Sequence, residues 1–357
     1  MKKIVKHLLL PLALCCTTLL HAEEKEDIKS SQNDSSEIQE VYAAALADYE
    51  GKDWWHLLQK TKYLRANYPD NLFADELWRL GAIAFLNMGE LEKANEYFST
   101  YLEQSASPRH FEEVILEKFA IAERFRAGEK ARLLGSRDLP KIAGGKQIAL
   151  TIYEEVLSAL PGGTITPNAY YGKGEIQLSL GDFPESIETF QQLIRRYPRH
   201  ALASEAYVSI IRAYLGQAKS EYADPNFLDL AEINYKKFEE AFPSDEKLAL
   251  AGSIIIEMRE IYAEDLYATA LFFERAKKPL ASRIYYTKVL AKFPGTVHAE
   301  KVPFRLERLK KLEDRMGIKP EISESILPIE LISDEKPQEE SSVVLDAGPE
   351  KEPQQTL

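Results

Sequence analysis

One spacing of residues recurs along the chain and constrains its fold more than any other feature. Ser186, Phe190, Leu193 and Pro198 follow one another at intervals of four, three and five residues. The first three positions lie on one face of a helix, and proline ends that helix. We therefore predict that the chain repeats one helical unit. The same spacing starts at Ala149, Ala231 and Ser282, and in weaker form at Leu57 and Ala94.

A second amphipathic helix precedes each of these helices. In the segment WRLGAIAFLNMGELEKANEYF, Trp78, Gly81, Ala82 and Phe85 share one face, and Gly89 then ends the helix. The period of about 34 residues and the order of these residue types resemble the tetratricopeptide repeat (TPR). The predicted fold class is all-α, an α-α superhelix or TPR-like solenoid of five to six helix pairs with a C-terminal capping helix. The six pairs are predicted at about 37–70, 74–105, 110–162, 165–200, 202–244 and 247–296, and the capping helix at about 298–315.

Three glycines offer a different interpretation. Gly172 and Gly174 have the G-x-G spacing of nucleotide-binding loops, and Gly181 follows them. Such a loop needs a preceding strand and a following helix N-terminus. No strand-like alternation precedes Gly172, and the Lys-Ser/Thr pair of a P-loop is missing. We therefore expect Gly174 to allow close helix packing and Gly181 to form a turn.

The sequence contains no pattern typical of an enzyme. No two of its six histidines have metal-ligand spacing, and no G-x-S-x-G nucleophile motif occurs. A formal net charge of -12 argues against a nucleic-acid binder, which needs a basic surface. We predict a non-enzymatic protein with no catalytic residue, no cofactor, no metal and no nucleic-acid partner.

The N-terminus has the three parts of a secretory signal. Lys2, Lys3 and Lys6 precede an almost wholly apolar segment, 8–20, and Ala22 is a small residue at a plausible cleavage point. Residues 1–22 are therefore predicted to be a signal peptide, and the mature protein to be periplasmic. The alternative is a lipoprotein anchored through Cys15 or Cys16, although neither follows the small residue that such processing prefers.

Both ends of the predicted helical region are polar. Residues 23–36 are predicted to be a disordered linker, and 317–357 a disordered acidic tail. The N-terminal TPR-like units are placed at 37–200, with the substrate or peptide groove, and the C-terminal units with the capping helix at 201–316. From residue 319 onward the tail has ten acidic residues and three lysines, so more than half of the net charge lies there.

The predicted function depends on a surface. In a TPR superhelix, the first helices of the pairs form a concave face that binds extended or helical peptides. Arginine and tyrosine are frequent at binding hot spots, although the candidate positions fit ordinary solvated residues equally well. Counting along the first helices of the second and fourth units gives six candidate groove residues: Arg79, Ile83, Asn87, Asn168, Tyr171 and Glu175.

The C-terminal third resembles a known family. It contains a helix that ends before proline, a long helix with Arg259, Glu260 and then Ala263-Glu264, and a Tyr/Phe-rich segment. Ala281, Arg283 and Tyr285 follow, and then VLAKFPGT leads to a last helix. This order is similar to that of the outer-membrane protein assembly factor BamD (YfiO) family. The resemblance extends over about 37–310, and its C-terminal part is the more specific.

The resemblance implies a periplasmic scaffold at the inner face of the outer membrane, within the β-barrel assembly complex. In that family the N-terminal units bind unfolded outer-membrane proteins, and the C-terminal units bind the periplasmic domains of the barrel insertase subunit. Other assembly-complex lipoproteins are further implied partners. The alternatives are another exported TPR adaptor of the cell envelope, such as a cell-division or envelope-biogenesis coordinator, and an enzyme subunit with a docking solenoid.

Overall fold

The computed structural model describes residues 35–104, 106–132, 140–220, 224 and 226–318. The predicted signal peptide, almost all of the predicted linker and nearly all of the acidic tail lie outside these residues. Cys15 and Cys16 lie outside them as well.

Within the described residues, thirteen helices and one small sheet follow one another along the chain. The first twelve helices fall into the six predicted pairs, and the thirteenth is the predicted capping helix, so the all-α TPR-like fold class is confirmed. The helices are α1 (35–50), α2 (Trp54–Asn67), α3 (Ala74–Asn87), α4 (Leu91–Gln104), α5 (Phe111–Arg126), α6 (Lys146–Ala159), α7 (Thr166–Leu180), α8 (Phe183–Arg196), α9 (Ala201–Ser220), α10 (Asn226–Ala241), α11 (Lys247–Arg275), α12 (Pro279–Lys292) and α13 (Val297–Arg315).

The insert between α5 and α6 contains two short strands, which the sequence pattern did not indicate. Strand β1 (Lys130–Arg132) pairs antiparallel with β2 (Lys141–Gly144), and the register shifts between Ala131 and Arg132. The Arg132 Nε donates to Glu90 at the start of α4 over 2.7 Å, which attaches the sheet to the helices. Strands of three and four residues are too short to show the alternation by which strands are recognised in a sequence.

The first three recurring positions of the repeat are buried in every pair except the fifth, in which Tyr235 is half-buried. The aromatic positions Phe98, Tyr153, Phe190 and Tyr286 are all fully buried. The small position does more than the spacing predicted. The Ser186 hydroxyl donates to the Gly174 carbonyl over 2.9 Å, and Ser282 makes the equivalent bond to Ala270 over 2.9 Å. A serine at this position therefore joins the two helices of a pair, in addition to letting them approach closely.

The chain divides into two compact units, which consist of Met1–Gly216 with Asn234–Leu248 and of Gln217–Ile233 with Ala249–Leu357. Helices α9 and α10 each contribute to both. In the first unit, α2 to α8 pack in succession, and the Tyr207 ring stacks on Phe238 at 5.4 Å. The domain boundary proposed at residue 200 stays a prediction.

The second unit contains all but the first two residues of the 29-residue helix α11, with α12 and α13 after it. Tyr267 of α11 meets Tyr286 of α12 edge to face at 5.4 Å. The side chain of Glu260 accepts a hydrogen bond from the backbone N–H of Val297 over 2.7 Å, at the N-terminus of α13. Across the described ranges, none of the helices has the length and apolar character that crossing a membrane requires.

Candidate peptide-binding site

The six candidate residues lie on α3 and α7, the first helices of the second and fourth pairs. Both helices belong to the first unit, as do α5 and the N-terminal part of α9, which are first helices of the neighbouring pairs. At the candidate positions, polar contacts link consecutive first helices. The site is therefore a face made by α3, α5, α7 and α9, which we call the first-helix face.

Arg79 is buried, with 10% of its side chain exposed. Its Nε donates to Glu76 Oε1 over 2.9 Å, and its guanidinium lies 3.4 Å from Glu113 Oε1 of α5. Burial opposes the charge of this arginine, but the hydrogen bond and charge of Glu76 and the charge of Glu113 raise its pKa above the ordinary value. Arg79 therefore holds α3 against α5 through partners that already satisfy its charge.

The two other candidates on α3 differ in exposure. Ile83 is half-buried, and Asn87 is exposed. The Asn87 amide donates to the Ile83 carbonyl of its own helix over 2.8 Å. Ile83 thus offers a small apolar surface, whereas the Asn87 amide is directed back to the end of α3.

Tyr171 joins α7 to α9. Its ring is half-buried, with its centroid 5.7 Å from that of Phe190. Burial raises the pKa of the Tyr171 hydroxyl to about 12, and the charges of Glu175 and Glu205 add to the effect. The phenol therefore stays protonated at any physiological pH, and it can donate a hydrogen bond toward Glu205.

The remaining candidates lie on either side of Tyr171 along α7. Asn168 is exposed in the first turn of the helix. Glu175 is half-buried, and its Oε1 accepts a hydrogen bond from the Ser209 hydroxyl of α9 over 2.9 Å. Glu205 and Ser209 were not foreseen as part of the site, because nothing in their spacing relates them to α7.

Helix α5 lies between the two predicted clusters and carries an exposed large apolar residue, Leu116. Leu116 lies one helical turn beyond Glu113, so it projects on the same side, and 47% of it is exposed. Phe119, one turn further, is half-buried, with its ring 6.1 Å from that of Tyr153. An exposed leucine on a helix has no special signal in a sequence, and the repeat pattern does not mark it.

Of the three glycines that resembled a nucleotide-binding loop, Gly174 allows close helix packing and Gly181 forms a turn, as predicted, and Gly172 also lies at a close contact. A Cβ on Gly174 would lie 2.7 Å from the Phe190 ring, and one on Gly172 would lie 2.5 Å from the Tyr153 hydroxyl. Gly181 ends α7 with a φ of +88°, a left-handed conformation that favours glycine. Aromatic side chains fill the space beside Gly172 and Gly174, and Gly181 ends the helix. Residues 166–180 form a helix, so no strand precedes Gly172 there.

A buried lysine near this face was not anticipated. Lys118 of α5 is fully buried, its Nζ lies 2.7 Å from Glu155 Oε2 of α6, and it donates to the Ser99 hydroxyl over 2.5 Å. Burial lowers the pKa of Lys118, and the hydrogen bond and charge of Glu155 oppose that shift. The pair therefore joins α5 to α6. No group of three or more His, Cys, Asp or Glu residues suited to a metal ion occurs in the described part of the chain.

Residues 168–200 match the tetratricopeptide repeat family. Among curated proteins no match is found. Similar solved structures include a tetratricopeptide repeat protein from Parabacteroides merdae ATCC 43184, with 13% identity, coverage of 77% of this chain and 98% of that chain, and a TM-score of 0.34.

Two further solved structures are similar at the same level. A thermophilic TPR protein of Thermus thermophilus has 17% identity, coverage of 61% of this chain and 99% of that chain, and a TM-score of 0.29. The TPR domain of P58(IPK) has 12% identity, coverage of 83% and 71%, and a TM-score of 0.31. The matched segment 168–200 contains α7, α8 and the loop between them. Helices α7 and α8 are therefore one tetratricopeptide repeat in a chain of TPR-like helix pairs.

Proposed function

We propose that this protein is a non-enzymatic scaffold that binds a peptide segment of its partner on the first-helix face. The observation that carries the proposal is Leu116, which is 47% exposed between the Arg79 cluster and the Tyr171 cluster. Apolar surface next to fixed polar groups is the usual composition of a peptide-binding groove. TPR-type repeats present such surfaces for partner proteins.

The chemistry of the face indicates what kind of segment would fit. An apolar side chain of the partner would cover Leu116 and Phe119, because these are the exposed and half-buried apolar groups at its centre. A partner carboxylate could bind Arg79 only by replacing Glu113. The contact between Arg79 and Glu113 is the longer of the two that Arg79 makes, at 3.4 Å, and half of the Glu113 side chain is exposed. An apolar segment with a nearby acidic group is therefore the expected ligand class.

A photo-reactive amino acid at position 116 tests this binding directly. The variant with the photo-reactive group at Leu116 should form a covalent product with its partner in cells. A matched variant carries the same group at Gln191, which is exposed on α8, a second helix of a pair. Equal yields at the two positions, or a product only at position 191, would rule out the first-helix face.

The finer proposal concerns the cellular role. We propose that the scaffold acts in the periplasm at the inner face of the outer membrane, as a BamD-like component of the β-barrel assembly complex. The signal-like N-terminus and the resemblance of the C-terminal third support this role. Its partners would be unfolded outer-membrane proteins, the periplasmic domains of the barrel insertase subunit and other assembly-complex lipoproteins.

The same crosslinking experiment separates the two levels of the proposal. A product at position 116 that contains an outer-membrane protein, together with co-purified insertase subunit, supports the BamD-like role. A product with a different envelope protein supports the scaffold but excludes that role, and leaves another exported TPR adaptor as the function.

Mass spectrometry of the mature N-terminus tests the anchor. A free Glu23 would indicate a soluble periplasmic protein, and a lipidated Cys15 or Cys16 would indicate an anchored one.

A further inference from the structure

A cleft with an excess of positive charge lies in the second unit, between the C-terminal ends of α11 and α13. Its volume is about 350 Å³. Leu309 and Leu312 contribute apolar surface to it. Six charged side chains line it, and five of them are cations: Arg275, Lys277, Arg308, Lys311 and Arg315 against the single carboxylate of Glu274.

The one carboxylate is already engaged. Glu274 Oε2 accepts a hydrogen bond from the Tyr286 hydroxyl over 2.9 Å. Its Oε1 lies 3.7 Å from Arg305 and 3.8 Å from Arg308. Glu274 therefore balances the arginines of α13 that face it, and the rest of the cleft keeps its positive charge.

The other cations of the cleft are exposed and have no ion pair with any described residue. The negative ends of the helix dipoles account for Arg275 and Arg315, which lie in the last turns of α11 and α13. They do not account for Lys277, beyond the end of α11, or Lys311, a full turn before the end of α13. Favourable interaction with helix ends therefore explains only some of the cations in the cleft. Binding of an anionic ligand would explain all of them.

We propose that this basic cleft binds the acidic segment that follows it in the same chain, residues 319–335. The last described residue, Ile318, lies three positions after Arg315, so the acidic segment begins close in sequence to a residue that lines the cleft. The six residues from Ile318 to Glu324 span at most about 20 Å, a length that allows Glu324 to turn back toward Arg315 and the cleft. The segment has one lysine, Lys319, and five carboxylates: Glu321, Glu324, Glu330, Asp334 and Glu335.

Covalent connection makes such binding effective even where each contact is weak. Exposed ion pairs contribute little one by one, but a tethered segment acts at an effective concentration in the millimolar range. Binding of this kind weakens as salt rises, because exposed charges are screened within about 10 Å at 0.1 M ionic strength. Binding of residues 319–335 should therefore be strongest at low ionic strength.

The test uses the full-length chain and a fluorescently labelled peptide of residues 319–335 at low ionic strength. In one variant, the five carboxylates of the segment are changed to amides by E321Q, E324Q, E330Q, D334N and E335Q. This neutral-tail chain should bind the peptide at least fivefold more tightly than the natural chain, whose own tail occupies the cleft. Fluorescence anisotropy measures both affinities, and circular dichroism checks that the helical content is equal.

Three further variants of the neutral-tail chain locate the binding site. Lys311→Glu with Arg315→Glu, and separately Arg275→Glu with Lys277→Glu, should each weaken peptide binding at least tenfold. The matched control, Lys236→Glu with Lys237→Glu, reverses two exposed charges on α10 and should leave the affinity unchanged. Equal peptide affinity of the natural and neutral-tail chains would overturn the proposed occupant. Absence of peptide binding, or full binding after both cleft reversals, would overturn the site.

Discussion

Replacing Gly174 with alanine tests the packing of the fourth helix pair most directly. The added Cβ would lie 2.7 Å from two atoms of the Phe190 ring and 3.0 Å from a third. Phe190 is fully buried, and Ser186 fixes the distance between the helices by its hydrogen bond to the Gly174 carbonyl. The ring therefore has no free space to enter, and the helices must separate or the ring must leave its preferred rotamer.

Two opposing contributions determine the expected change in stability. Overpacking of a well-packed core costs about 1 to 3 kcal/mol, and three contacts at or below 3.0 Å place this site in the upper part of that range. Alanine recovers about 1 kcal/mol, because glycine is a poor helix former. We therefore expect Gly174→Ala to reduce the free energy of unfolding of the first unit by about 1 to 2 kcal/mol.

Urea unfolding followed by tryptophan fluorescence measures this change. The three tryptophans, Trp54, Trp55 and Trp78, all belong to the first unit, so the signal reports the unit that contains the substitution. Gly162→Ala is the matched control, because nothing lies within 4 Å of its added Cβ. Adding Phe190→Leu to Gly174→Ala should cost less than the sum of the two single changes. A Gly174→Ala protein as stable as the natural one, or more stable, would refute the reasoning.

Three further predictions concern polar groups. Lys118→Met should leave the free energy of unfolding unchanged or raise it by about 1 kcal/mol. Glu155→Ala should lower it by about 2 to 3 kcal/mol, because the buried lysine loses its carboxylate partner. Urea unfolding distinguishes the two results. Burial raises the pKa of Tyr171 and of Tyr262 to about 12. The stability that these protonated hydroxyls contribute is fully present below pH 10 and should be lost as the pH rises from 10 to 12. Unfolding at stepped pH and absorbance at 295 nm check this. Ser186→Ala should cost only about 1 kcal/mol in thermal or urea unfolding, because it removes one neutral hydrogen bond and leaves the small position filled.

Helix pairs could be predicted from the sequence because each signal has a local physical cause. Proline a few residues after the aromatic position ends the second helix of a pair, and the small residue four positions before the aromatic one allows close contact within the pair. The boundaries of the α7–α8 pair and of α13 accordingly fall within a few residues of the predicted ones. The sheet β1–β2 was missed, because its strands are held by contacts with α4 that are distant in the sequence.

The candidate site was less predictable for the same physical reason. The repeat pattern gives the face on which Arg79 and Tyr171 lie, but it does not give the residues opposite them. Glu113 lies 34 positions from Arg79, and Ser209 lies 34 positions from Glu175, so both contacts join neighbouring repeats. Arg79 also pairs with Glu76 of its own helix, but only the stacking of consecutive pairs brings Glu113 to it. The same stacking leaves Leu116 exposed.

Three residues that carry the BamD resemblance have structural roles within the second unit. Their presence is therefore weak support for BamD-like partners. Arg259 binds Glu232 of α10 at 2.8 Å, and Glu260 binds the N-terminus of α13. The Arg283 Nε donates to Glu313 Oε1 of α13 over 3.1 Å. Packing of α10 to α13 is enough to explain all three residue types, whatever the unit binds. A decision about function must therefore come from positions that the fold does not explain, of which Leu116 and the basic cleft are the clearest.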